Sequence, residues 1–185
     1  MPRLKNSPTP NNVNLNGGSA SASAAMDDVY TKPGYLFRRM QQIAVAVFLE
    51  ECKAADLTPV QYATLVAIRA HPGVDATRLS ALIAFDRSTL GNVIERLETK
   101  GFLERRPGPG DRRVKLLYLT KAGAGELRHV EPLVARAQMK MLQPLAAADR
   151  KVLLKLMAQL VDLNNDNSRT PTRTDDALQH LNRSI

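Results

Sequence analysis

Between Asp86 and Thr120 the chain sets a run of guanidinium groups at a turn, directly after a helix with one polar face. The turn reads Arg105-Arg106-Pro107-Gly108-Pro109-Gly110-Asp111-Arg112-Arg113. Arginine forks match phosphate oxygens and guanine edges in pairs, so such a cluster suits a nucleic acid. The helix runs from Asp86 to about Lys100 and repeats Leu90, Val93, Ile94 and Leu97 at spacings of three and four. At ~100° per residue, Ser88, Asn92, Glu95 and Thr99 fall opposite that stripe, flanked by Gly91 and Arg96. A helix of this width fits the major groove, and a narrow arginine-tipped ribbon reaches the adjacent minor groove or phosphates. Arg87, Ser88, Thr89, Gly91, Asn92 and Arg96 are therefore the expected reading contacts. Asn pairs bidentately with adenine, Arg with guanine or phosphate, and Gly91 admits a close backbone. Glu95 would repel phosphate; it either accepts from cytosine or pairs with Arg96 or Arg87. A merely solvated polar face is the competing reading for any isolated helix.

The elements that must hold these groups are legible around them. A first helix is expected over 34–55, with Leu36, Met40, Ile43, Val47 and Phe48 as its buried stripe. Thr58-Pro59-Val60-Gln61 is a capping box with proline at the first helical position, opening a second helix to about Ala70. His71-Pro72-Gly73 breaks it. Asp75 opens a third, short helix to Ile83, and Asp86 caps the fourth, so the pair forms a helix-turn-helix. Gly101 ends the fourth helix as a left-handed cap. Phe102–Arg106 and Val114–Leu119 are hairpin strands around a Pro-Gly-Pro-Gly turn. Thr120 caps a long helix to Gln143, in which Pro132 is either a kink or the effective start. A last helix begins at Asp149 and carries Val152, Leu153, Leu156, Leu160, Val161 and Leu163. The predicted order is α-α-α-α-β-β-α-α, a mainly α fold with a small β-hairpin wing. The terminal helices are too apolar for a lone small domain, so a symmetric homodimer is expected.

Bulk composition narrows the function. The chain has 185 residues, a formal charge of +8 and no Trp, and its pI is about 9.9. The balance favours a polyanionic partner, and the aliphatic composition favours helices. One cysteine, Cys52, excludes an intrachain disulfide and repeated-Cys metal frameworks. With no apolar run of ~18 residues and no signal-like h-region, a reducing, cytoplasmic setting is expected, with no membrane partner. The three histidines, His71, His129 and His180, share no ligand-like spacing. No His-Glu-x-x-His, Gly-x-Ser-x-Gly or phosphate-binding loop is present, so neither an enzyme nor a cofactor is expected.

Four blocks carry a family resemblance. They are Leu57-Thr58-Pro59-Val60-Gln61-Tyr62, Asp86-Arg87-Ser88-Thr89-Leu90, Arg96-Leu97-Glu98-Thr99-Lys100-Gly101-Phe102-Leu103, and Asp111-Arg112-Arg113 followed by Leu117-Tyr118-Leu119-Thr120. Together they resemble the MarR (multiple-antibiotic-resistance regulator) family of dimeric winged helix-turn-helix transcription factors, over about residues 34–163. The resemblance implies a homodimer on a pseudo-palindromic operator, with the fourth helix of each subunit in a major groove. It also implies a repressor released by a small ligand or an oxidant. Residues 1–31 form a disordered arm in this reading. Residues 32–56 and 121–163 form the dimerisation region, 57–120 the winged helix-turn-helix, and 164–185 a polar tail with a weak helix over Asp175–Asn182.

Within the wing motif, Asp111 is expected to orient one arginine while the other probes the narrow groove. The resemblance assigns Arg113 to the minor groove, with Arg112 the alternative. A purely fold-stabilising Asp-Arg pair is the competing reading. Arg105, Arg106 and Lys115 are expected near phosphates, and Thr77 and Arg78 add contacts from the third helix. Family ligands sit between the dimerisation helices and the DNA-binding lobe, which makes Tyr35, Arg38, Arg39 and His71 the effector candidates. The pattern resembles members controlling aromatic-acid breakdown, so an aromatic carboxylate or its coenzyme A thioester is the expected effector. Solvated or intersubunit-paired arginines are the alternative, and His71 also suits a plain helix end. Two other functions compete. One is a redox sensor at Cys52, although Glu50 and Glu51 raise a neighbouring thiol pKa. The other is a sequence-neutral architectural DNA binder.

Overall fold

The computed structural model describes residues 26–172. The chain divides into two compact units, 1–42 and 43–185. Helix α1 (Pro33–Glu51) begins in the first and ends in the second.

In the first unit, helix already starts at residue 26, so the irregular arm expected through residue 31 gives way earlier than its composition suggests. An Asp28–Lys32 ion pair one turn apart (2.9 Å) and a tilted Tyr30–Tyr35 contact (5.2 Å) support that turn. The apolar stripe of α1 departs from expectation. Leu36, Met40 and Ile43 are exposed in the single chain, and within α1 only Phe48 is buried.

In the second unit, α1 ends in a 3-10 turn (Lys53–Ala55), closed by Asp56 in the left-handed region (φ 47°). Helix α2 (Pro59–Ala70) has both hydrogen bonds of its capping box: Thr58 Oγ1 accepts from Gln61 N–H, and Gln61 Oε1 accepts from Thr58 N–H. A two-residue strand, β1 (Val74–Asp75), follows. It was not expected, because so short a strand has no period to read. Asp75 ends β1 and caps α3 (Ala76–Leu82), accepting from the Thr77 and Arg78 amides. Helix α4 (Arg87–Thr99) is capped by Asp86. The wing is β2 (Leu103–Pro107) and β3 (Lys115–Leu119), in antiparallel register from Leu103↔Leu119 to Pro107↔Lys115. Strand β1 joins the other edge of β3 through Val74↔Leu117, giving the order β1-β3-β2. The architecture is a winged helix-turn-helix, mainly α with a small sheet.

Helix α5 (Lys121–Leu142) starts at its Thr120 cap and runs through Pro132, so that proline is not its start. Helix α6 (Ala147–Leu163) follows, starting two residues before the expected Asp149. The core is aliphatic: Leu65 and Ile68 from α2, Leu79 from α3, Leu90 and Leu97 from α4, Leu117 from β3, and Leu127 and Val130 from α5 are all essentially inaccessible. Three ion pairs fasten α5 to earlier elements, one of them between Arg136 and Glu51 at 3.5 Å. Arg69 meets Glu131 at 2.5 Å, and Lys140 donates to Glu51 at 2.8 Å, which holds the Glu51 carboxyl below the usual range. In α6, by contrast, only Ala158 is buried. Among the described residues no helix is long and apolar enough to cross a membrane. The helix expected over Asp175–Asn182 lies outside the described residues.

Candidate nucleic-acid interface

Helix α4 shows the segregation its spacing predicts. Leu90, Val93, Ile94 and Leu97 are buried, while Arg87, Ser88, Thr89, Asn92, Glu95 and Arg96 are exposed. Asp86 Oδ1 accepts from the Ser88 amide (2.9 Å), the Ser88 hydroxyl and the Thr89 amide (3.3 Å). Those bonds, the Ser88 hydroxyl foremost, hold the Asp86 carboxyl below its ordinary range. Ser88 therefore spends its proton on the cap and faces outward as an acceptor. Asn92 and Arg96 make no side-chain hydrogen bond among the described residues. They line an open groove of about 730 Å³ together with Asp56, Gln61 and Lys100. Glu95 joins no ion pair among the described residues, so the expected pairing with Arg87 or Arg96 is absent there.

A Cβ at Gly91 would meet no atom within 4 Å. Packing within the chain does not require this glycine, and the space beyond it is open. The turn before α4 is also fastened. Ala84 adopts φ 49°, the Ser80 hydroxyl donates to the Phe85 carbonyl (2.6 Å), and the Phe85 amide donates to the Ser80 carbonyl (3.1 Å). Ser80 was not singled out in the sequence, because its role depends on a turn that has no periodic signature.

Behind α4, Gly101 at φ 72° completes a left-handed cap, and Lys100 Nζ donates to Asp56 Oδ2 at 2.8 Å. The wing is braced against α4 by Arg105, whose Nε lies 3.0 Å from Glu98 Oε2. Arg106 pairs with Glu104 and stacks over the Tyr118 ring at 4.4 Å. These two arginines, expected at phosphates, each meet an acidic side chain within the chain: Glu98 of α4 for Arg105 and Glu104 of the same strand for Arg106. Arg112 and Arg113 are exposed and enter no ion pair among the described residues. Asp111 differs from expectation: its carboxylate accepts from the Arg113 backbone N–H (2.8 Å) and grips no guanidinium. It shapes the turn as an Asx motif and leaves both side chains free. Lys115 is exposed at the end of β3 beside them. On α3 the Thr77 and Arg78 side chains are exposed although their amides are used by the Asp75 cap.

One continuous stretch thus holds a stripped helix face, an open turn and two free arginines on a braced ribbon. Residues 57–115, which span all three, match the MarR family. The chain is also 30% identical over 145 residues to the HTH-type transcriptional repressor NicR of Pseudomonas putida, covering 76% of this chain and 92% of NicR. The chain belongs to the MarR family. Solved MarR-type structures share its fold. BpsR of Bordetella bronchiseptica, whose DNA binding is regulated by 6-hydroxynicotinic acid, superposes with a TM-score of 0.68 at 28% identity, over 72% of this chain and 95% of BpsR. The transcriptional repressor CouR, bound to a 23-mer DNA duplex, gives 0.66 at 27% identity, over 80% of this chain and 99% of CouR.

The effector candidates are placed as follows. In the first unit Tyr35 is half-buried, the Arg38 guanidinium lies 5.1 Å from its ring, and Arg39 donates to Gln42 (2.9 Å). In the second, His71 is the C-cap of α2, its N–H bonded to the Ala67 carbonyl at 2.9 Å. It is a helix end, as the following Pro-Gly suggests.

Cys52 is only 1% exposed. Burial, then the Glu51 charge, pushes its thiol pKa up; Arg136 offsets this in part. A peroxide sensor needs the opposite, an accessible thiolate. Native protein at pH 8 is expected to leave Ellman's reagent unconsumed and to react fully only in denaturant. Rapid reaction of the native thiol would restore the redox reading.

Proposed function

We propose that this protein is a sequence-specific repressor that binds a pseudo-palindromic operator as a homodimer and is released by an aromatic carboxylate or its coenzyme A thioester. The observation that carries the reading is the pairing of two unspent surfaces: the outward face of α4 at Asn92 and Arg96, and the free Arg112 and Arg113 of the wing. Arg87, Ser88, Thr89, Gly91, Asn92 and Arg96 contact the major groove in this account. Arg112 and Arg113 enter the minor groove, and Thr77, Arg78 and Lys115 meet phosphates. Asp111, Arg105 and Arg106 position the wing rather than read DNA.

The dimer reading rests on apolar surface that the single chain leaves uncovered. On α6, Val152, Leu156, Leu160 and Leu163 are each about half exposed or more, and Met139 of α5 is 69% exposed. So much aliphatic surface at helical spacing fits an isologous helical interface. Residues 32–56 and 121–163 would supply it, with 57–120 as the DNA-binding part. A two-fold dimer places two α4 helices one helical turn of DNA apart, so a small rotation between subunits is enough to spoil binding.

The effector class is supported by the regulators that the chain is similar to and by the chemistry of α1. The ring of Tyr35 and the cations Arg38 and Arg39 suit an aromatic acid, or the phosphates of its thioester. His71 is left to the end of α2. Fluorescence anisotropy on the intergenic DNA beside the gene, with a panel of aromatic acids and their thioesters, tests this. One compound is expected to release the DNA, and Arg38→Ala/Arg39→Ala to abolish the response with DNA affinity kept. Indifference to the whole panel would remove this effector class and leave DNA binding standing.

A further inference from the structure

Beyond α6 the chain does not simply trail away. A 3-10 turn (Asn165–Asn167) leads into a loop closed on itself by one side chain. Asn165 Nδ2 donates to the Thr172 carbonyl (3.2 Å), and Asn165 Oδ1 accepts from the Thr172 amide (2.9 Å). Inside the loop the Thr170 amide donates to Ser168 Oγ at 3.2 Å. The Thr170 hydroxyl then crosses 86 positions of sequence to donate to the Ala84 carbonyl at 3.1 Å. Ala84 is the left-handed residue of the turn between α3 and α4, two positions before the Asp86 cap. The helix-turn-helix is therefore held from inside by Ser80 and from outside by this loop.

The tether fixes what stands next to it. Arg169 precedes Thr170, is exposed, and forms no ion pair among the described residues. It lies near enough to Asp86 for its charge to help lower that carboxyl. Residues 165–172 lie outside the segment that matches the family. Their hydrogen bonds thus hold the backbone next to an exposed cation near the turn that enters α4.

We propose that Arg169, presented by the 165–172 loop and tied down through Thr170, is an additional contact to a DNA phosphate flanking the major-groove site. The proposal rests on the DNA-binding reading above. DNA phosphates flank the groove that α4 enters, and anchoring the loop beforehand lowers the ordering cost of a contact to one of them.

The test uses the full chain, a salt series, the intergenic duplex and a random-sequence duplex. Arg169→Ala is expected to weaken binding to both duplexes by the same factor. That factor is about tenfold per protomer, the loss of one charge-assisted hydrogen bond. It should also flatten the slope of log K against log salt by about 0.9 per protomer. Arg169→Lys should keep the slope, and Thr170→Val, which cuts the tether, should share the loss. Since Arg169 is exposed, the melting temperature should not move. An unchanged affinity and slope in Arg169→Ala would overturn the proposal, and so would tighter binding, which would make the loop a shield. Wild-type protein that bound neither duplex would instead bring down the DNA-binding reading and this proposal with it.

Discussion

Arg112→Ala combined with Arg113→Ala is expected to weaken operator binding on the order of 100-fold per protomer while leaving the melting temperature in place. The size follows from two arginines per protomer, each worth roughly 1–3 kcal/mol where it meets DNA. The intact fold follows from the structure: both side chains are exposed, and the hydrogen bond that shapes the turn runs from the Arg113 backbone to Asp111, which the substitutions retain. The behaviour of Arg105 and Arg106 sharpens the test. Those side chains are engaged by Glu98, Glu104 and Tyr118, so their removal should loosen the wing and lower stability together with affinity. Anisotropy titrations and thermal melts on the four single variants separate the two classes. Equal effects in all four would mean that the wing tip acts only as diffuse positive charge.

Gly123→Ala is expected to destabilise the protein by about 3 kcal/mol or more, against the sign of helix propensity. Position 123 lies in the first turn of α5, where Ala is ordinarily preferred over Gly by roughly 1 kcal/mol. Here the added methyl would overlap the Phe102 carbonyl oxygen and lie 2.9 Å from Leu119 Cδ1. That oxygen cannot retreat freely, because it accepts from the Thr120 amide at 3.1 Å, while the Thr120 hydroxyl is bonded to the Gly101 carbonyl. The joint between wing and α5 is built on backbone packing, and forcing it apart is overpacking of the costly kind. Thermal melting should fall by roughly 6–12 °C for a chain of this size. Gly125, two residues on, is the control. A Cβ there meets only Arg128 Nη2 at 3.9 Å, so Gly125→Ala should be neutral or stabilising. Stabilisation by both substitutions would refute the close joint.

What could be read in advance was whatever repeats or caps. The α4 stripe and the caps at Thr58, Asp75, Asp86 and Thr120 are local chemistry, and the structure places each where spacing puts it. What could not be read depends on partners distant in sequence. Strand β1 exists because Val74 finds Leu117, a pairing invisible in two residues. The stripe of α1 is apolar at helical spacing, but periodicity cannot say whether its cover comes from the same chain, and Leu36, Met40 and Ile43 are exposed rather than buried. At the site, arginine spacing marked the wing without saying which guanidinium groups are free. Glu98 on α4 and Tyr118 on β3 decide that by occupying Arg105 and Arg106. Asp111 bonds the Arg113 backbone and no guanidinium, an outcome spacing cannot foresee because an Asx turn and an ion pair need the same residues. The Thr170–Ala84 bond has no sequence signal at all.

The central claim is that the α4 face reads sequence, and one comparison tests it most directly. Purified protein is titrated by anisotropy against the intergenic duplex beside its gene and against a random duplex of equal length, at one physiological salt concentration. The account predicts a preference of ~10³-fold or more for the intergenic duplex. Equal affinity for the two would contradict it and leave a protein that holds phosphates without reading bases.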